Sequence, residues 1–397
     1  MNSVCVIFHR LGPYHWARLN AAGALFPTLG LEISAESTEY RWDKVSGQST
    51  FHRVTLFPES DARIENPYEL VDRVHKALDE HQPSAVAIPG WSDRGALAAL
   101  AWCQKTGKPT IVMSESQASD GARGYTKEAI KRRLVGMCSS GLAGGAPHAA
   151  YLAKLGMRGD RIFTGYDVVD NDYFATRSDA ARANAVELRA RFALPERYFL
   201  ASNRFIAKKN LRRLVEAFAA YQQLAGPEAW KLVILGDGPL KAQLLTQIKD
   251  LGLSAEVFLP GFKQYEELPA FYGLAGAFVH ASTTEQWGLV VNEAMASGLP
   301  VLVSDRCGCA SDLVVHGING FTLNPLDVPA LTESLLRMAG TDYDRAAMGR
   351  ESRGIIAFWS PKKFAVKLQK ATHAALENPV RKGSLLDRAV LQTLIRR

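Results

Sequence analysis

Cysteine is scarce in this chain of 397 residues: Cys5, Cys103, Cys138, Cys307 and Cys309 form an odd and mostly scattered set. That excludes a disulfide framework and suits reduced thiols in a cytoplasmic protein. Cys307-Gly308-Cys309 is the one close pair. No companion Cys or His cluster completes four ligands, so the pair reads as a turn and zinc is not expected. Long hydrophobic runs are missing too. No span reaches transmembrane length, and the apolar part of MNSVCVIFHRLGPYH is too short for a signal core before His9 and Arg10. There is no internal repeat or low-complexity tract. No excess of acid is present either, since the formal net charge is +7. A basic balance favours nucleotides, phospholipid surfaces and nucleic acid alike. No nucleic-acid module and no interleaved aromatic platform appear, which places nucleic acid last among the partners.

What the chain does have is an ordinary globular composition, 47% hydrophobic and 22% charged, and enough length for two domains. Short apolar runs at Val4 to Phe8, Ala85 to Pro89 and Thr110 to Met113 alternate with amphipathic segments at Trp16 to Leu25 and Pro67 to Leu78. This is α/β syntax. Asn66-Pro67 with Glu69 caps the second helix, and Gly107-Lys108-Pro109 ends another. A second set of strands follows at Tyr198 to Ser202, Leu232 to Leu235, Val257 to Leu259, Ala277 to His280 and Val301 to Ser304. The polar stretch Gly165 to Arg177 between the sets reads as a linker. The expected division is 1–170 and 171–360, two doubly wound Rossmann-like domains facing a central cleft. Residues 361–397 are expected to be helices packing back on the first domain. Pro361 to Leu376 is amphipathic, and Leu385, Leu386, Ala389, Val390, Leu394 and Ile395 form an apolar stripe on the tail among Arg388, Arg396 and Arg397. Packing onto the protein body is the default for that stripe, and a membrane-surface helix is the alternative. Lys127, Lys131, Arg132 and Arg133 within Tyr125 to Met137 read as a solvated helix face.

The most informative span runs from Glu285 to Asp305, EQWGLVVNEAMASGLPVLVSD. Gly288 and Leu289 are placed to open a helix through Ala296 that ends near Gly298, with a strand after Pro300. Free amides and the positive dipole end suit a diphosphate, whereas Glu285 and Glu293 suit hydroxyls. A sugar nucleotide offers both. For either glutamate alone, the plainer account is an acid near a helix start or a solvated surface residue.

Several ordered motifs in the C-terminal half resemble the retaining GT-B glycosyltransferases of glycosyltransferase family 4 (group 1). Glu285 and Glu293 match that family's E-x7-E pattern, followed by Ala294-Met295-Ala296-Ser297-Gly298-Leu299-Pro300. Upstream stand Ser202-Asn203-Arg204-Phe205 and Lys208-Lys209-Asn210, then Gly236-Asp237-Gly238-Pro239 and Pro260-Gly261-Phe262, and downstream Gly317-Ile318-Asn319-Gly320. The resemblance implies that Arg204 and Lys209 clamp the diphosphate, with Lys209 preferred over Lys208. It implies that Glu293 accepts from ribose hydroxyls and Glu285 from the transferred sugar. Gln286, Trp287 and the amides of Gly288 and Leu289 would lie along the donor, Gly236 would shape a turn beside it, and Phe262 would border the base or sit in the core.

The N-terminal half matches less well. Gly12 stands where the family places a glycine-rich turn beside the donor phosphates, but only one glycine is present. His15 is a candidate acceptor contact, against capping as the plainer account. Many members carry a His after a middle strand, where this chain has Ser114-Glu115-Ser116. Glu115 therefore becomes the candidate to bind an acceptor hydroxyl or assist its proton, with Asp120 as a cap. The resemblance also implies retention, by a covalent nucleophile or by same-face attack; same-face attack is favoured because neither motif glutamate is aligned as a nucleophile, and then no metal is needed and no cofactor is expected beyond the nucleotide-diphosphate sugar. Asp170-Asn171-Asp172 offers a D-x-D pattern in the expected linker, where chance accounts for it. The reading is thus a sugar transferase acting on a saccharide, lipid-linked saccharide or other glycoconjugate in the cytoplasm, with peripheral membrane contact allowed. A sugar-nucleotide epimerase or phosphorylase, or a basic membrane-surface binding protein, are the alternatives.

Overall fold

The computed structural model describes residues 3–36, 43–61, 66–121, 124–378 and 380–396. The chain forms two compact units, Met1–Val169 with Ser360–Arg397, and Asp170–Trp359. The first runs β1 (Val4–Phe8), α1 (Pro13–Leu25), β2 (Thr28–Glu36), β3 (His52–Asp61), α2 (Pro67–His81), β4 (Ala85–Pro89), α3 (Arg94–Thr106), β5 (Thr110–Ser114), α4 (Tyr125–Gly136), β6 (Ser140–Ala143), α5 (Ala146–Lys154) and β7 (Ile162–Thr164). The second runs α6 (Asn171–Ala183), α7 (Ala185–Phe192), β8 (Tyr198–Ser202), α8 (Leu211–Ala225), β9 (Lys231–Leu235), α9 (Lys241–Asp250), β10 (Val257–Gly261) and α10 (Leu268–Leu274). It continues with β11 (Ala277–His280), α11 (Leu289–Ala296), β12 (Val301–Ser304), α12 (Ala310–Leu313), β13 (Gly320–Leu323), α13 (Val328–Ala339) and α14 (Arg345–Ile356). The chain then re-enters the first unit with α15 (Pro361–Glu377) and α16 (Leu385–Arg396).

Both sheets are parallel, ordered β3-β2-β1-β4-β5-β6-β7 and β10-β9-β8-β11-β12-β13. Helices cover both faces of such sheets, so the central strands become continuous apolar runs. Those runs mark β1, β4, β8, β11 and β12 residue for residue. β2, β3, β6, β7 and β13 carry no such run. In β2 the sequence TLGLEISAE is broken by Glu32, which is 1% exposed. Its carboxylate accepts from the Leu11 amide at 2.7 Å, Arg53 Nη2 at 2.7 Å and Thr55 Oγ1 at 2.8 Å, so the charge is fully partnered.

Strand order reverses between β1 and β4 in the first unit and between β8 and β11 in the second. At such a switch point the loops beyond the strands' carboxyl ends diverge to opposite faces and leave a crevice. In the second unit those ends are Ser202 and His280, immediately before the loops bearing Arg204, Lys209 and Glu285.

Local chemistry sets several boundaries. Asn66 caps α2 by accepting from the Tyr68 amide at 3.0 Å, and Gly107 at φ 74° closes α3. The first helix starts at Pro13 rather than Trp16, because proline at the first helical position is pre-set for it. The polar stretch from Gly165 is linker only to Asp170. Asp170 caps α6 by accepting from the Tyr173 amide at 3.0 Å, and Asn171 donates to the Ile356 carbonyl at 2.8 Å, so the D-x-D pattern is a cap and a staple.

In the first unit α15 packs on α1 and β6, while α16 packs on α3 and α4. Leu391 and Ile395 of α16 join the core of β1, β4, α2 and α3. The tail's buried stripe is narrower than the apolar residues suggest, for Leu385 is 86% and Leu386 54% exposed. Of the basic residues on α4, Lys131 binds Glu128 at 3.2 Å and Arg133 binds Asp387 at 2.8 Å, leaving Lys127 and Arg132 exposed. Among the described residues no helix is long and apolar enough to cross a membrane.

Candidate active site

In the second unit the switch point gathers charge. Lys209, ending a short 3₁₀ turn after β8, is ion-paired with Glu285, and both side chains are 13% exposed. His280, the last residue of β11 and fully buried, lies with Nε2 3.3 Å from Glu285 Oε2, and Ser282 Oγ is 3.2 Å from the same nitrogen. Burial opposes ionisation of Glu285, but the His280 hydrogen bond and the Lys209 charge outweigh it and hold the carboxyl well below its ordinary range. His280 is kept neutral, first by burial and also by Lys209, against the pull of Glu285. A neutral ring has one N–H, and Nε2 is the nitrogen that donates it to Glu285. Among the described residues Nδ1 has no hydrogen-bond partner.

Gly288 precedes α11 at φ 106°, and a Cβ there would stand 3.5 Å from Glu285 Cγ, 3.6 Å from Cys309 Sγ and 3.7 Å from His280 Nε2. A left-handed backbone there turns the chain from Glu285 into α11, whose first amides have no intrahelical acceptor. The loop is fixed from behind by the cysteine turn, since the Gly308 amide donates to the Glu285 carbonyl at 3.0 Å and the Cys309 amide to the Trp287 carbonyl at 3.2 Å. Asn210 adds a second clamp through Nδ2 to the Ala281 carbonyl at 3.0 Å.

The structure thus brings Lys209, Glu285 and Gly288 together and adds His280 and Ser282, which the sequence reading missed. A histidine ending a central strand five residues before Glu285 was the available signal. Other expected residues stand differently. Arg204 is exposed in the loop after β8, and among the described residues its guanidinium makes no hydrogen bond or ion pair. Lys208 is exposed, and its carbonyl accepts from the Thr283 amide at 2.8 Å. Gln286 and Phe262 are exposed, Phe262 at 36%, so the ring is no core residue. Leu289 is half-buried. The Trp287 indole is 1% exposed, donates Nε1–H to Asn292 Oδ1 at 2.9 Å and packs on Trp359 at 5.0 Å. Its side chain serves the interior, because a buried indole needs a partner for its N–H. Glu293 is fully buried and accepts from the Tyr272 hydroxyl at 2.6 Å, which excludes a solvated glutamate. Gly236, at φ 122°, could carry no Cβ, since one would lie 1.8 Å from the Asn203 carbonyl oxygen. That contact, with the Phe205 amide donating to the Asp237 carbonyl at 2.8 Å, presses the loop after β9 against the loop that carries Arg204.

In the first unit a different set of groups crowns the sheet. His9 after β1 and Asp93 before α3 meet at 3.2 Å across the switch point, and Asp93 also caps α3 at the Ala96 amide. His15 accepts from the Gly12 amide at 3.3 Å through Nδ1, and its ring lies tilted against Phe8 with centroids 4.1 Å apart. Burial, and then the Arg18 charge, push its pKa down to about 3, so it serves as a neutral cap at the entrance of α1. Gly12 has an extended backbone, and a Cβ there would meet only His15 Nδ1 at 3.9 Å. Neither conformation nor packing demands that glycine. Glu115 is half-buried after β5, and Asp120 accepts from the Gln117 amide at 2.8 Å. Arg18, 1% exposed on α1, holds the Val168 carbonyl at 3.1 Å and lies 3.7 Å from the buried Asp167 carboxyl. Among the described residues no group of His, Cys, Asp and Glu is placed to hold a metal ion.

Residues 187–354 match the family model described as glycosyl transferases group 1. This segment belongs to the glycosyl transferases group 1. Among curated relatives, the GDP-mannose-dependent alpha-(1-6)-phosphatidylinositol monomannoside mannosyltransferase of Mycolicibacterium smegmatis is 31% identical over 193 residues, covering 47% of this chain and 49% of that protein. The chain spans at most about half the length of the first curated relatives it matches. Among solved structures, sucrose-phosphate synthase of Thermosynechococcus elongatus superposes with a TM-score of 0.74 at 15% identity, over 94% of this chain and 98% of that one. Anabaena HepE in complex with UDP-glucose superposes at 0.73 and 17% identity, over 94% and 100%. The group 1 domain therefore sits within a GT-B glycosyltransferase fold.

Proposed function

We propose that the chain is a retaining glycosyltransferase that moves a sugar from a nucleoside-diphosphate sugar to a hydroxyl of a saccharide, lipid-linked saccharide or other glycoconjugate. The observation that carries this reading is the Lys209–Glu285–His280 cluster set against the opening of α11 at the sheet's switch point, inside the group 1 segment. Lys209 is engaged by Glu285, so the exposed Arg204 is the cation open to the diphosphate, assisted by the amides of Gly288 and Leu289. Glu285, held ionised, accepts from hydroxyls of the donor sugar. Glu293, wholly buried on Tyr272, supports α11 and reaches ribose only through a shift of that helix. Gly12 gives a ligand close approach to the backbone, and Glu115 is the group for the acceptor hydroxyl.

In this reading the bond from the anomeric carbon to the diphosphate oxygen breaks while the bond to the acceptor oxygen forms on the same face. The acceptor's proton passes to the departing diphosphate. Charge gathers on that diphosphate, and fixed positive groups stabilise it without reorganising. The names of the relatives include both GDP-mannose and UDP-glucose as ligands, which leaves the donor base open.

The test is Arg204→Ala assayed for nucleoside diphosphate release from UDP- and GDP-sugars. Turnover should fall by about two to three orders of magnitude with Tm unchanged. Undiminished turnover overturns the assignment. Product analysis separates the alternatives, because transfer leaves a new glycosidic bond of the donor's anomeric configuration whereas epimerisation leaves none.

A further inference from the structure

His9 and Asp93 meet at the first sheet's switch point, and the transfer reading gives neither a task. His9 is the first residue after β1, and Asp93 stands in the loop that leads from β4 into α3. Their contact runs from His9 Nδ1 to Asp93 Oδ2 at 3.2 Å. Both partners are pinned by the backbone around them. Asp93 spends Oδ1 on the Ala96 amide at 2.8 Å, and the His9 carbonyl accepts from the Ser34 amide at 2.8 Å. A ligand can still reach the pair, for the side chains are 38% and 24% exposed. Arg10, next along the chain, is drawn towards β2, where its Nε donates to the Ala35 carbonyl at 3.2 Å.

A carboxylate only accepts hydrogen bonds, so the proton between the two belongs to His9 Nδ1. In the neutral ring that choice puts a lone pair on Nε2, which becomes an acceptor of fixed direction. A partly exposed contact of this kind contributes little to stability, so holding the fold together does not account for it. A carboxylate behind an exposed imidazole does suit the binding of a hydroxyl. The ring is set in one tautomer and one direction before the ligand arrives, which lowers the ordering cost of binding. Glu115, the acceptor-side carboxylate of the proposed reaction, is likewise the first residue after its strand, β5, and β4 alone separates that strand from β1. Two strand spacings put the two positions about 10 Å apart. A small lone alcohol cannot touch both, whereas a saccharide, with hydroxyls all along it, can.

Resting on the reading of the chain as a transferase whose acceptor lies at the first sheet, we infer that His9 is a second acceptor-binding residue, its Nε2 receiving the hydrogen bond of one saccharide hydroxyl while Glu115 receives another. Asp93 is the positioning residue, since its carboxylate holds the ring and the α3 amide. The acceptor is then a molecule with several hydroxyls, gripped at two points. No proton changes owner in this contact.

The experiment is NMR of the full chain with isotopically labelled histidine nitrogens at neutral pH, joined to transfer kinetics, with methyl α-glucoside and methyl α-mannoside as acceptor probes. The His9 signals are those missing from His9→Asn. In the wild type Nδ1 should carry the proton and Nε2 should be bare, and either probe, added to protein saturated with UDP or GDP, should shift the Nε2 signal. His9→Asn keeps an amide N–H for Asp93 but has no counterpart of Nε2, so a merely structural tie survives in it. Its acceptor KM should rise about ten-fold, the scale of one hydrogen bond, with Tm held and donor KM moved far less. His9→Gln brings an amide oxygen near the place of Nε2 and should recover part of the loss. A protonated Nε2, an Nε2 signal that neither probe moves, or a wild-type acceptor KM in His9→Asn overturns the inference. The NMR readouts need no turnover, so they stand or fall independently of the Arg204→Ala test of function.

Discussion

Lys209 and Glu285 form an ion pair across the mouth of the second sheet, each side chain 13% exposed, with the buried His280 on the same carboxylate oxygen. The His280 hydrogen bond and the Lys209 charge together hold the Glu285 carboxyl well below its ordinary range against the effect of burial. The consequence is a defined pH dependence.

Lys209→Met removes the positive charge and leaves the desolvation of Glu285 in place. The folded pKa of Glu285, depressed in the wild type, should rise. A depressed carboxylate pKa gives stability present above the unfolded pKa and lost as pH falls through the folded value. The acid limb of the kcat/KM profile should therefore move to higher pH in Lys209→Met, and stability at neutral pH should drop by about 3 kcal/mol, the scale for stranding one partner of a buried pair. An unmoved acid limb would show that Glu285 does not depend on Lys209.

The two glycines in the loops after β9 and β1 should behave in opposite ways. Gly236→Ala places a Cβ 1.8 Å from the Asn203 carbonyl oxygen at φ 122°, so the loop bearing Arg204 must move. A loss of about 3 kcal/mol or more in urea unfolding is expected. Gly12→Ala meets only His15 Nδ1 at 3.9 Å, so Tm should stay within about 4 °C of wild type. Donor KM should nevertheless rise if a ligand approaches that backbone. Intact donor kinetics in Gly12→Ala would remove Gly12 from the site.

Tyr272 donates to the fully buried Glu293 at 2.6 Å, and burial, reinforced by the Glu293 charge, raises the phenol's pKa. Tyr272→Phe deletes one hydroxyl and leaves a buried carboxylate short of a donor. A hydrogen bond to a charged group contributes about 1.5–3 kcal/mol, and a chemical-denaturation loss of that size is the expected outcome. A neutral result would mean that Glu293 draws its support elsewhere and is available to a ligand.

Strand runs such as Tyr198 to Ser202 and Ala277 to His280 were legible because a parallel sheet covered on both faces demands unbroken apolar residues. The order Arg204, Lys209, Glu285, Gly288 was legible because chain order survives folding. Glu32 hid β2, since its partners Arg53 and Thr55 lie on another strand. Trp287 looked like a ligand contact in a polar motif, yet its N–H finds Asn292 five residues on. His280 was visible only as the end of a strand. Asp167 stood in a polar stretch that resembled a linker, and Arg18 in an amphipathic helix.

The sequence by itself determined the α/β alternation, the strand ends and the motifs that follow them, because these depend on local period, capping and chain order. Tertiary structure decided which side chains are spent inward and which charges meet, as with Lys209 and Glu285 or Arg18 and Asp167. Burial and ionisation are properties of what surrounds a residue, and those surroundings come from strands and loops far away along the chain.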